Sequence, residues 1–227
     1  SLLNGALRRT VSDARALKMI DSQDASLVAM TNLLNSLLDI SRLDAGAVKP
    51  EFEEFPMQRL IDRLSAEFER QARSKGLAFT FESCPAIVRS DPNLLAEIIS
   101  NLVSNAIRYT NTGEVRMVCV ERDGQCHLQV SDTGIGIEAD QLNAIFQEFH
   151  QCKSPGSNKE GFGLGLAIVR RLADLLEHRI DVESEPGKGS CFGVSIPAVA
   201  SSRYDATTDQ SDGIRAPDCA GGLVILI

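Results

Sequence analysis

The chain has 227 residues, of which 43% are hydrophobic and 24% charged, and its formal net charge is −8. That length supplies a sizeable core for one large domain or two modest ones. The acidic balance argues against a broad nucleic-acid surface, though not against a polyanionic ligand, because backbone N–H groups and a metal ion bind phosphate without net positive charge. No apolar run approaches the ~20 residues of a membrane span, and the opening residues do not read as a signal peptide.

Residues 1–46 carry a helical pattern. Leu27, Met30, Leu34 and Leu37 form a stripe that Leu33, Ile40 and Leu43 widen. Leu3 and Leu7 mark an earlier piece, and "RRTVSD" (8–13) reads as the turn of a helical hairpin. A face this broad predicts pairing with another chain in a bundle. Gly46 and Pro50 end the second helix.

Beyond residue 50 the elements alternate. "MQRLIDRLSAEFERQARSKG" (57–76) is an amphipathic helix closed by Gly76, and "LAFTFES" (77–83) and "AIVRS" (86–90) are short strands. Asp91-Pro92 starts a helix, with an Asx cap and proline at the first helical position, running to about Ile107. "EVRMVCV" (114–120) and "CHLQV" (126–130) form a hairpin about Asp123-Gly124. A helix is expected after "DTGIGI" (132–137), through Phe149. A polar loop (151–160) precedes "GFGLGLAIVRRLADLLE" (161–177), glycine turns feeding a helix. "RIDVES" (179–184) and "CFGVSIP" (191–197) are final strands joined by "EPGKG". The pattern predicts an α+β fold, a two-layer sandwich with helices on a mixed, mostly antiparallel sheet. Residues 198–222 read as a polar linker, followed by "LVILI". The six cysteines (Cys84, Cys119, Cys126, Cys152, Cys191 and Cys219) form no C-x-x-C pair and read as buried free thiols of a reducing compartment.

Two glycine clusters, Gly134/Gly136 and Gly161/Gly163/Gly165, each stand before a helix. Glycine removes Cβ and permits positive φ, and a helix N-terminus presents N–H groups to anions. Either cluster alone is equally well a tight turn. "EIISNLVSNAIRYT" (97–110) adds Asn101 and Asn105 four residues apart on one helix face, while Ile98, Ile99, Leu102, Val103 and Ala106 cover the other. Asparagine carbonyls are hard oxygen ligands suited to Mg²⁺. No P-loop pattern occurs. "GIGIEA" fits a dinucleotide fingerprint, but its strand comes from a hairpin and no acid follows at the required spacing.

Together these pieces resemble the catalytic domain of sensor histidine kinases, within the gyrase/chaperone/MutL ATPase superfamily. "NLVSNAIRYT" looks like the N box, "DTGIGI" the G1 box, "FQEF" (146–149) the F box, "GFGLGL" the G2 box and "GKGSCFGVSIP" (187–197) the closing strand. The resemblance covers about residues 51–197 and implies the Bergerat-type ATP-binding fold. Residues 1–46, ending in "LLDISRLDAG", resemble the end of the family's dimerisation hairpin. The resemblance implies that Asp132 accepts the adenine amino group, and that Gly134 and Gly136 let base and ribose approach the backbone. By the same token Ile137 packs on the base, Asn105 and Asn101 hold Mg²⁺ between phosphates, and Arg108 and Tyr109 lie near phosphates and adenine. Gly161, Gly163 and Gly165, with Leu164 and Leu166, form a lid over the phosphates; Lys153 and Lys159 sit in it, either touching the γ-phosphate or as solvated charges. Ser190 belongs to the site's closing strand. Phe146 and Phe149 anchor the lid.

The family's phospho-accepting histidine has no counterpart here. His127, His150 and His178 lack the H-box pattern, so the expected chemistry is ATP binding for γ-phosphate transfer to a histidine outside residues 1–227. Related ATPases place a water-activating Glu where this chain has Asn101, which favours transfer over hydrolysis. "LVILI" resembles the first strand of a receiver domain and implies a hybrid kinase. The implied partners are a second copy through the N-terminal helices and a receiver domain, in the same chain or a separate regulator, and not nucleic acid. The implied location is cytoplasmic for this part, with a membrane-anchored parent open. Two rival readings are a degenerate module that works through helix association and a protein-serine kinase or ATPase of the same superfamily.

Overall fold

The computed structural model describes residues 14–151, 162–199 and 223–226. Helix α1 (Ala14–Asp44) runs unbroken for 31 residues. The expected hairpin turn and first helical piece lie outside the described residues. The stripe predicted to pair with another chain faces away from the rest of the protein: Leu27, Met30, Leu34 and Leu37 are exposed. Only Ile20 and Ile40 are buried, and Leu33 and Leu43 pack partly against the main core.

Two sheets follow. Strand β1 (Glu53–Pro56), not legible in the sequence, pairs antiparallel with β3 (Ile87–Ser90). The main sheet holds β2 (Ala78–Phe81), β4 (Glu114–Arg122), β5 (Gln125–Asp132), β6 (Arg179–Glu185), β7 (Gly189–Pro197) and β8 (Leu223–Leu226) in the order β2-β4-β5-β7-β6-β8. Only β2 and β4 are parallel, so the sheet is mixed and mostly antiparallel, as the sequence predicts. Asp123 and Gly124 both have positive φ, 53° and 73°, as a tight hairpin turn of the primed type requires. The segment read as the start of a receiver domain, β8, pairs antiparallel with β6 at the sheet's edge.

Helices α2 (Met57–Ser74), α3 (Pro92–Tyr109) and α4 (Gly165–Leu176) supply the second layer. Asp91 caps α3, its carboxylate accepting from the Asn93 and Leu94 N–H groups. Leu95, Ile98, Ile99 and Leu102 of α3 and Leu172 and Leu176 of α4 meet Met117, Leu128 and Ile180 of the sheet in one core. Each such side chain fully buried contributes about 1.5–3 kcal/mol.

Two expectations are corrected. The helix expected through Phe149 is a series of turns with one short 3-10 piece, Ala144–Phe146. Its hydrogen bonds are mostly i→i+3, from Gln141 N to Glu138 O and from Ala144 N to Gln141 O. Leu142, Ile145 and Phe146 bury one by one, so docking and not periodicity sets the path, and Phe149 ends it exposed at φ 59°. The cysteines are not all free thiols, because Cys84 and Cys119 are joined in a disulfide. The connection between β2 and β3 folds back over β4, where the Gln58 side-chain carbonyl accepts the Cys84 N–H at 2.7 Å and fixes that residue. Cys126 remains a buried thiol, while Cys152 and Cys219 lie outside the described residues.

Candidate functional site

Strand β5 delivers Asp132 to the end of the sheet, where the chain leaves for the G1 turn. The carboxylate is held by the Gly134 N–H at 2.7 Å, by the Ser190 N–H and by the Thr110 hydroxyl. Burial nonetheless dominates and lifts its pKa from 3.8 to about 6, the hydrogen bonds lowering it only in part. At neutral pH the group is still a carboxylate, half-buried and lining a slot.

The glycines beside it have a reason the sequence did not supply. A Cβ on Gly136, at φ +68°, would collide with the Glu185 carbonyl, and one on Gly134 would lie 2.5 Å from the Tyr109 carbonyl oxygen. The clearance expected for base and ribose is first of all clearance for the chain's own backbone. Ser184, inward on β6, pins the same turn by accepting the Ile137 N–H at 2.8 Å while its hydroxyl reaches Gly189 O and Ser190 Oγ. Ser190 therefore contacts the site mainly through its backbone and this hydroxyl pair.

Asp132, Ile135, Gly136, Ile137, Leu166 and Phe192 line a narrow, largely apolar slot with Asn105 and Tyr109 at its mouth. A wider chamber of about 760 Å³ shares Asn105, Tyr109, Ile145, His150 and Leu166 with the slot and continues past Asn101, Arg108, Gly163, Leu164 and Gly165 to α1. That volume lies within the ~300–1,000 Å³ of small-molecule sites. The α1 side of the chamber mixes small polar residues, Ser22, Ser26, Asn32 and Ser36, with the apolar Ala25, Val28 and Ala29. A flat apolar group fits the slot and a polar, charged one the chamber.

Asn101 and Asn105 share one face of α3, as their spacing predicts. Asn101 donates its amide to Glu97 O at 2.9 Å, which turns its carbonyl oxygen toward the first turn of α4. A Cβ on Gly165 would lie 2.9 Å from that oxygen and 3.6 Å from the Asn105 amide nitrogen, so only glycine leaves this gap open. Glu97, one turn earlier, has its pKa raised by burial and by Asp39 of α1.

The structure thus brings together Asn101, Asn105, Arg108, Tyr109, Asp132, Gly134, Gly136, Ile137, Gly163, Leu164, Gly165, Leu166 and Ser190. Lys153, Lys159 and Gly161 lie outside the described residues. Sequence reading missed His150, weighed there only as a phosphate acceptor. It lines both slot and chamber, and its Nε2 is buried with no hydrogen-bond partner among the described residues. Of the other histidines, His127 lies in β5 with Nδ1 3.0 Å from Ser195 Oγ, and His178 is buried with Nε2 2.8 Å from Ser90 Oγ. Ser184 and Thr110 were also missed; their one signal is a hydroxyl at a position where strand or helix periodicity puts an apolar side chain.

Residues 90–200 match the family model for the histidine kinase-, DNA gyrase B- and HSP90-like ATPase. The sensor protein SrrB of Staphylococcus aureus (strain NCTC 8325 / PS 47) is 34% identical over 171 residues, which span 74% of this chain and 29% of SrrB. Full-length ShkA, crystallised with AMPPNP, superposes with a TM-score of 0.72 at 26% identity, covering 86% of this chain and 42% of ShkA. The catalytic domain of histidine kinase ThkA superposes at 0.57 with 28% identity, covering 65% of this chain and 95% of that domain. The chain belongs to the sensor histidine kinases, of which it holds the ATP-binding catalytic part. Among the described residues no helix is long and apolar enough to cross a membrane.

Proposed function

We propose that the slot and chamber bind ATP with Mg²⁺ and present the γ-phosphate to a histidine outside this chain. Half-buried Asp132 carries the reading. A carboxylate with its remaining acceptor capacity aimed into an apolar slot costs free energy unless a donor arrives there, and the adenine amino group is such a donor. Ile137 and Ile135 flank the base, and Tyr109 stands where base and phosphates meet.

Asn105, with Asn101, is the oxygen set suited to Mg²⁺, and Gly165 leaves the space before them open. The ion would neutralise charge between phosphates. The start of α4 lines the chamber, and the unpaired N–H groups of a helix N-terminus suit a polyanion. Arg108 faces the chamber, and the His150 Nε2 supplies one further polar contact there. Gly161 remains an expected part of the lid, and Lys153 and Lys159 either touch the γ-phosphate or stand as solvated charges. Because phosphoryl transfer needs chiefly positioning and charge neutralisation, this set is sufficient for the donor half of the reaction.

The acceptor side belongs to the whole protein. The exposed stripe on α1 fits a second copy of the chain in a helical bundle, and a receiver domain, in the same protein or a separate response regulator, fits as the next phosphate acceptor. The location proposed for this part is cytoplasmic.

Calorimetric titration of ADP and a non-hydrolysable ATP analogue, with and without Mg²⁺, into the chain and into Asp132→Asn tests the site. Adenine-selective binding that Mg²⁺ strengthens and the substitution weakens by about 1–3 kcal/mol is expected. A folded chain that binds neither nucleotide would leave a module acting through helix association alone.

A further inference from the structure

We propose that Cys84 and Cys119 are a reversible thiol–disulfide modification site whose state sets how firmly helix α3 is tied to the sheet. The proposal rests on the ATP-binding reading in one respect. A domain that uses ATP works where ATP is abundant, and there thiol reductants keep cysteines reduced, so a disulfide that forms is ordinarily redox-responsive.

The placement links the bond to the nucleotide site. Cys84 lies in the connection between β2 and β3, and Cys119 lies in β4, 35 residues further on. The covalent loop between them contains all of α3 and therefore Asn101, Asn105, Arg108 and Tyr109. Oxidation fastens both ends of that segment covalently to one point of the sheet; reduction leaves Cys84 held by its hydrogen bond to Gln58 and Cys119 by the β4–β5 ladder.

A third sulfur defines the chemistry. Cys126 Sγ of β5 lies 3.1 Å from Cys119 Sγ and 3.9 Å from Cys84 Sγ. Burial, with the nearby Glu121 charge, pushes the Cys126 thiol up to about 12, so it stays protonated and does not shuffle into the disulfide. It can donate its S–H to the Cys119 sulfur in either state. Cys84 and Cys126 are fully buried, whereas Cys119 is only partly so.

Cys119, the less buried residue of the bonded pair, is where an incoming thiolate, such as glutathione's, attacks. Attack on Cys119 Sγ breaks its bond to Cys84, whose sulfur leaves with the electron pair and takes a proton. A second glutathione thiolate then attacks the glutathione sulfur of the mixed disulfide. Cys119 departs as a thiolate and is protonated, and oxidised glutathione carries away the two electrons' worth of oxidation. The reverse sequence closes the bond.

The test equilibrates the whole chain in a graded series of reduced-to-oxidised glutathione ratios, approached from both directions. Mass spectrometry after thiol trapping gives the oxidised fraction. A single two-electron titration within the series is expected, retained in Cys126→Ser and lost in Cys84→Ser. Amide hydrogen exchange across α3 should quicken on reduction of the wild-type chain. A disulfide that persists at every ratio, or forms at none, overturns the modification site; unchanged α3 exchange overturns its coupling to the helix. AMPPNP binding measured on the same samples separates this from the functional reading. Absent nucleotide binding beside a normal thiol titration sinks the ATP site alone.

Discussion

The two ends of β5 each take a titratable group out of water, Cys126 fully and Asp132 in part, and to opposite effect. At one end Cys126 sits among sulfurs and apolar side chains, and burial holds it protonated to about pH 12. At the other Asp132 meets two backbone N–H groups and a hydroxyl, which offset part of the desolvation and leave its pKa at about 6. The thiol stays protonated at physiological pH, while the carboxylate is charged at pH 7 yet costly to keep so. A strand can tolerate a costly buried charge at an end that opens onto a cavity, where a ligand's donor can complete its hydrogen bonding.

The largest expected effect sharpens the sulfur end. Reducing the Cys84–Cys119 bond, which closes a loop of 35 residues' separation, should lower stability by about 4 kcal/mol through restored chain entropy, read as a fall in the urea midpoint. The next concerns the acid end. An acid whose folded pKa is raised favours folding when protonated, and the penalty grows as pH rises from 3.8 to about 6. Asp132→Asn should therefore gain up to about 3 kcal/mol of stability at pH 7 while losing nucleotide affinity. A variant that loses both would show Asp132 to be structural.

His178, buried against Ser90, has the opposite sign. Burial lowers its pKa from 6.5 to about 4, so the neutral form favours the fold and stability is lost as pH falls through that window. The loss should approach about 3 kcal/mol by pH 4 and vanish in His178→Gln, measured by denaturant midpoints across pH. Nucleotide affinity should in turn fall about tenfold from pH 7 to pH 5, as the carboxylate with pKa near 6 takes up its proton; calorimetry in matched buffers would show a flat profile if adenine were read elsewhere. The smallest effect tests the join to α1. Arg171 of α4 pairs with Asp44 at the end of α1 and with Glu148, and Arg171→Ala should cost less than about 1 kcal/mol, because such partly exposed pairs are weak.

Much of this was legible beforehand. The strands of the main sheet up to β7, the hairpin at Asp123-Gly124, the Asp91 cap and the shared face of Asn101 and Asn105 all follow from local rules, because period, turn chemistry and capping act within a few residues. Strand β1 was missed because "EEFP" has no alternation long enough to read, and it exists by pairing with β3 thirty-odd residues later. The segment before Phe149 was misread because its apolar spacing suits a helix, yet each side chain docks separately. His150 gave no signal, since only the fold brings residue 150 beside Asn105 and Asp132.

The sequence by itself determined the element order, the boxes of polar and bare residues, and hence the kinase family, since these reside in short-range spacing. The tertiary structure alone decided which charges are costly, which glycines are obligatory and which sulfurs meet. Desolvation, steric clearance and covalent reach depend on distances between residues far apart in the chain, and those distances exist only once the sheet has closed against its helices.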